Sequence, residues 1–130
     1  MATAGRSKLL AVPRRVHVAD YLPGHLAARR AALVVSNGGS TTGYQALAEG
    51  RPVLGLPFNL DQYLASQAIV RAGAGLIVRA GLADVKTVAA ALSRLLAEPS
   101  FATRATDVAA DLGRSNAPAA FAGLVDREVA

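Results

Sequence analysis

The segment Ser36-Asn37-Gly38-Gly39-Ser40-Thr41-Thr42-Gly43-Tyr44-Gln45 holds the densest set of groups able to bind an anion. Gly38 and Gly39 let the backbone turn sharply and approach a ligand with no Cβ in the way. Ser40, Thr41 and Thr42 add hydroxyl donors where a helix is about to begin. A helix N-terminus carries roughly half a positive charge and free N–H groups, which suits a diphosphate. The same residues also satisfy a plain glycine turn with a Ser/Thr cap. No Gly-Lys-Ser/Thr follows, so this is not a Walker loop. Gly73-Ala74-Gly75 leads from a helix into a strand, the wrong order for the dinucleotide fingerprint, and Val78 stands where its third glycine would be.

A second cluster lies downstream in Pro57-Phe58-Asn59-Leu60-Asp61-Gln62. A carboxylate beside an amide suits the hydroxyls of a sugar, while Asp61 at a helix start also reads as a cap. His17 and His25 flank Asp20 without repeated ligand spacing, so a structural role is expected and no metal is assigned. No Asp-x-Asp motif is present.

These groups need a scaffold. Short apolar runs at Val16–Ala19, Leu33–Val35, Val53–Leu56 and Leu76–Val78 predict four buried strands. Helical segments lie between them at His25–Arg30, Thr42–Glu49 and Asp61–Ala72, with Gly50 and Gly73 placed to stop the last two. Alternation of this kind predicts parallel βαβ units. It also puts the Gly38-Gly39 loop and Asp61-Gln62 on one rim, at the carboxyl ends of neighbouring strands, where open α/β sheets bind ligands. Beyond Val78 only helical periodicity remains. It runs through Val85, Val88, Leu92, Leu95 and Leu96, then Phe101, Ala105, Val108 and Leu112, then Phe121, Leu124, Val125 and Val129. Pro99 and Pro118 fit first turns, Gly113 fits the close of the middle helix, and all three helices are expected to pack on the sheet. The chain thus divides into an N-terminal segment (1–15), βα units with the motif (16–78) and C-terminal helices (79–130).

Composition bounds the function. The chain has 130 residues, 52% hydrophobic and 18% charged, enough for one domain with a core. The net charge of +5 is scattered, and aromatics are only 5% without basic-aromatic interleaving, which argues against nucleic acid. No apolar run nears the roughly 18 residues of a transmembrane helix. Leu9–Val12 is too short for a signal-peptide core, so the expected location is cytoplasmic. The absence of cysteine removes disulfides and thiolate sites.

The order Asn37-Gly38-Gly39-Ser40-Thr41-Thr42-Gly43-Tyr44-Gln45-Ala46, then Gly50-Arg51-Pro52, Pro57 and Asp61-Gln62 resembles the C-terminal domain of GT-B-fold glycosyltransferases, similar to UDP-glycosyltransferases. Those carry His-x-Gly-x-Gly-Thr/Ser-x-x-Glu-Ala, then Gly-x-Pro, then Pro with Asp-Gln shortly after. The match covers about half of the chain. The resemblance implies an α/β, Rossmann-like parallel sheet forming part of the donor-binding domain. By it, Asn37, Gly38, Gly39, Ser40, Thr41 and Thr42 hold the donor diphosphate, and Gln45 meets the ribose. Asp61 and Gln62 bind the sugar, and Tyr21 and Leu22 border the base. Asn37 stands where the family has histidine, Thr41 where it has glycine and Gln45 where it has glutamate. An amide cannot become cationic like histidine, and it binds a diol less strongly than a carboxylate.

The implied substrate is a nucleotide diphosphate sugar, uridine-linked, with no cofactor. The family's acceptor site and catalytic base belong to an N-terminal domain that has no counterpart here, so no catalytic residue is assigned. The sheet also starts late, with Met1–Arg6 resembling the tail of its second strand. Truncation is expected, and a partner subunit could supply the rest. An unpaired edge at Leu33–Val35 would favour self-association. The alternatives are a non-catalytic interaction module derived from such an enzyme, or a fragment of a sugar-nucleotide epimerase.

Overall fold

A computed structural model describes residues 13–129. In it β1 (Val34–Ser36), β2 (Val53–Gly55) and β3 (Gly75–Ile77) form a parallel sheet in the order β1-β2-β3. The register pairs Ser36 with Gly55 and Gly55 with Ile77, so all three strands end at one level. Helices α1 (Gly24–Arg30), α2 (Ser40–Ala48) and α3 (Leu60–Arg71) alternate with the strands. Next come a 3₁₀ turn (Ala80–Leu82), α4 (Val85–Ala97), α5 (Pro99–Arg114) and α6 (Ala117–Val129).

The pleat decides which helix meets which face, because successive side chains in a strand point opposite ways. Leu54 and its neighbour Leu76 point toward α4, where they join Val78, Val88, Leu92, Leu95 and Phe101 in one core cluster. Gly55 and Gly75 face the other side and lie against Ser66 and Ile69 of α3. A second cluster of Leu47, Ala74 and Ala105, packed by Ile69, Val108 and Leu112, ties α2, α3 and α5 together. α5 spans both clusters through Phe101 and Ala105. Fully burying a leucine such as Leu54 contributes about 1.5–3 kcal/mol.

Gly50 and Gly73 stop α2 and α3 as expected, each at positive φ (66° and 73°). In both stops the glycine N–H donates to a carbonyl three residues back, and the next N–H to one five residues back. That pattern satisfies the free carbonyls of the last turn.

Three expectations need correction. Val16–Ala19 is not a strand: only Ala19 makes a single bridge, while Val16 and Val18 stay exposed. β-branched residues favour extension, but a strand forms only with a ladder partner and a surface to cover it. The sheet therefore has three strands among the described residues, not four. Gly113 does not close α5, which runs on to Arg114 with Ser115 as its C-cap. α6 does not join the core, since Phe121 and Leu124 are 68% and 53% exposed. Helical periodicity encodes an apolar stripe without saying what covers it. The Met1–Arg6 segment lies outside the described residues.

Candidate functional site

The turn after β1 is shaped by its own side chains. Ser36 Oγ accepts from the Gly38 N–H at 3.1 Å, and Asn37 Oδ1 accepts from the Gly39 N–H at 3.1 Å. The two glycine amides are thus engaged within the turn. Asn37 keeps its Nδ2 as a donor. α2 then starts at Ser40 with Gly39 as its N-cap and no side-chain cap. Helix geometry leaves the first N–H groups without intrahelical partners. The amides of Ser40, Thr41 and Thr42, with their exposed hydroxyl side chains, are the donors this turn presents.

The turn after β2 has a different construction. Asn59 is the N-cap of α3, its Oδ1 accepting from the Gln62 N–H at 2.9 Å. Gln62 folds back so that its Oε1 accepts from the Phe58 N–H at 3.2 Å. This reciprocal arrangement resembles a capping box, and the Asn-x-x-Gln spacing is its sequence signal. Asn59, not Asp61, caps the helix. Asp61 is exposed in the first turn, while Gln62 is buried, with Nε2 its remaining donor group.

The two turns share a rim. Gly38, at φ +85°, lies so close to α3 that a Cβ there would stand 2.5 Å from Ser66 Oγ and 2.8 Å from the Gln62 carbonyl oxygen. On the other side of α2 a cleft of about 600 Å³ opens between β1, α1 and α2. Tyr21, Leu22, Gly24, Thr41, Thr42 and Gln45 line it. The residues expected at the base, the ribose and part of the diphosphate therefore meet in one cleft. Gln45 is seated against the start of α1, where a Cβ on Gly24 would collide with its Oε1. Asn37–Ser40 and Asp61-Gln62 lie outside this lining, on the continuation of the rim toward α3.

A smaller cleft of about 420 Å³ follows at the ends of β2 and β3, lined by Phe58, Leu60, Tyr63 and Arg79 among others. The Arg79 guanidinium carbon sits 4.8 Å from the Tyr63 ring centroid. Hydrogen bonding from Arg79, then from Gln67, holds the Tyr63 phenol below its usual range. Among the described residues no group of three His, Asp or Glu side chains is placed to hold a metal ion. No helix among the described residues is long and apolar enough to cross a membrane.

Residues 1–126 match the family described as Erythromycin biosynthesis protein CIII-like, C-terminal domain. The chain is similar to a PGL/p-HBAD biosynthesis glycosyltransferase of Mycobacterium tuberculosis (strain ATCC 25177 / H37Ra), 49% identical over 112 residues. That match covers 86% of this chain and 26% of the relative, so the chain spans about a quarter of that protein's length. Among solved structures, spinosyn forosaminyltransferase SpnP superposes with a TM-score of 0.85 at 27% identity, covering 95% of this chain and 33% of that one. Spinosyn rhamnosyltransferase SpnG complexed with thymidine diphosphate gives 0.81 at 27% identity, covering 91% and 32%. Family model, relatives and neighbours agree with the fold. The chain belongs to the erythromycin biosynthesis protein CIII-like C-terminal domain family of GT-B glycosyltransferases.

Proposed function

We propose that this chain is the donor-binding part of a glycosyltransferase that takes a nucleoside diphosphate sugar. The observation that carries the reading is the uncapped start of α2, set between the Tyr21–Gln45 cleft and the Asp61 turn. The diphosphate lies over the amides and hydroxyls of Ser40–Thr42, and the Asn37 amide donates to it. Tyr21 and Leu22 border the base, Gln45 meets the ribose, and Asp61 with the Gln62 amide meets the sugar. Stabilising the diphosphate as leaving group and positioning the sugar are what this part supplies to transfer. The acceptor and the catalytic base come from a further domain or a partner subunit, and the location is cytoplasmic.

The donor is read as uridine-linked, and SpnG is known with thymidine diphosphate. Calorimetry with uridine and thymidine diphosphates, on the chain verified as folded, tests both. Binding of at least one is expected, with loss of about tenfold or more when Thr42→Ala and Asp61→Ala are combined with a donor sugar present. A folded chain that binds neither nucleotide sinks the reading.

A second reading, an interaction module without donor binding, is favoured by β1 lying at the edge of the sheet among the described residues, with Val35 45% exposed. It requires a stable complex, with itself or a partner, on size-exclusion chromatography that nucleotide does not alter.

A further inference from the structure

Ser66 lies in the second turn of α3, 2% exposed, and its Oγ is buried with no hydrogen-bond partner among the described residues. A serine inside a helix ordinarily bonds the carbonyl four residues back, here that of Gln62. Two glycines from different junctions converge on this hydroxyl. A Cβ on Gly38 or on Gly55 would each stand 2.5 Å from Ser66 Oγ, and one on Gly55 would also stand 3.0 Å from Ser66 Cβ. Real Cβ atoms do not approach that closely, so glycine hydrogens alone fit there. The turn after β1, the end of β2 and the second turn of α3 thus rest on one small side chain.

We infer that Ser66 is a positioning residue: it sets the depth at which the Gly38-Gly39 turn seats on α3, and so aligns the first amides of α2 with Asp61. The inference rests on reading the start of α2 as the diphosphate site. A larger side chain would push the turn outward and part the two halves of the site. Close packing transmits such a displacement instead of absorbing it.

The test compares three variants of the whole 130-residue chain. Ser66→Thr adds one methyl at the convergence. Ala105→Val adds bulk at a 0% exposed position in the α5 cluster, away from the turn. Ser66→Ala removes the unpartnered hydroxyl. Each is read by thermal unfolding, by the backbone amide signals of Gly38, Gly39 and Ser40 in nuclear magnetic resonance, and by titration with uridine and thymidine diphosphates well below the unfolding midpoint. Ser66→Thr should move those amide signals and weaken nucleotide binding by about tenfold. Ala105→Val should lower the midpoint comparably, with those signals in place and binding within about twofold. Ser66→Ala should raise the midpoint and weaken binding by only about two- to threefold.

Wild-type binding that Ser66→Thr leaves untouched, or that Ala105→Val weakens equally, overturns the role of Ser66. If the wild-type chain binds neither nucleotide, the diphosphate reading fails separately and the amide signals decide. Movement in Ser66→Thr alone upholds the positioning, and its absence overturns it.

Discussion

The turns that open α2 and α3 begin from paired residues, Ser36 and Gly55, at the same level of one sheet, yet they treat their helix starts in opposite ways. At α3 the chain satisfies itself: Asn59 accepts from the first turn and Gln62 reaches back to Phe58. At α2 the side chains of Ser36 and Asn37 shape the turn upstream of the helix, and none caps the helix itself. A capped start contributes stability. An uncapped one keeps its amides and its share of the helix dipole for a ligand. The contrast explains why one junction suits an anion and the other offers a lone exposed carboxylate, Asp61.

Substitutions at the two turns can break that contrast. The largest effect is expected from Gly38→Ala, which forces a Cβ at φ +85° onto Ser66 and the Gln62 carbonyl. A loss of about 2–4 kcal/mol in urea unfolding is expected, from backbone strain and overpacking together. Stability near wild type would mean that the turn is not seated on α3.

Next come the caps themselves. Asn59→Ala should cost about 1 kcal/mol of stability, as removal of an N-cap does. Gly39→Asp is the reverse experiment, since Gly39 has φ −61° and only Asn37 Oδ1 near its Cβ position, at 3.3 Å. A cap installed there should raise stability by a few tenths of a kcal/mol, and its negative charge should weaken diphosphate binding by about tenfold. If the aspartate leaves nucleotide binding unchanged, α2 is not where the diphosphate lies.

The smallest effect concerns Tyr63, at the far end of the rim. Its phenol is held below the usual range chiefly by hydrogen bonding from Arg79. A lowered folded-state value means that the ionised form is favoured by folding. The contribution is present above the unfolded-state value and fades as pH falls through the folded-state one. An ultraviolet titration of Arg79→Ala should show Tyr63 ionising at higher pH than in the unaltered chain, with little change in unfolding at neutral pH. Coincident titrations would remove Arg79 as the cause.

Much of the local structure around the candidate site is legible in the sequence because its signals are local. Two glycines before three hydroxyl residues, and Gly50 and Gly73 as helix stops, depend on backbone conformation within a few residues, which residue type controls directly. The Asn59-x-x-Gln62 box is equally local, but Asp61 beside it is also an ordinary capping residue type, so residue type alone does not separate the two. Ser66 carries no local signal, because a serine inside a helix looks ordinary until two glycines, one in the turn after β1 and one at the end of β2, are brought against it.

The order of strands and helices, the placement of both junctions on one rim and the family itself followed from the sequence, because hydrophobic period and turn chemistry report on neighbours in the chain. Tertiary structure alone decided that Val16–Ala19 forms no strand, that α6 stays uncovered, and that Ser66 supports the turn. Each of these depends on what lies across space, a ladder partner, a covering face or an approaching backbone, and no residue type carries that information by itself.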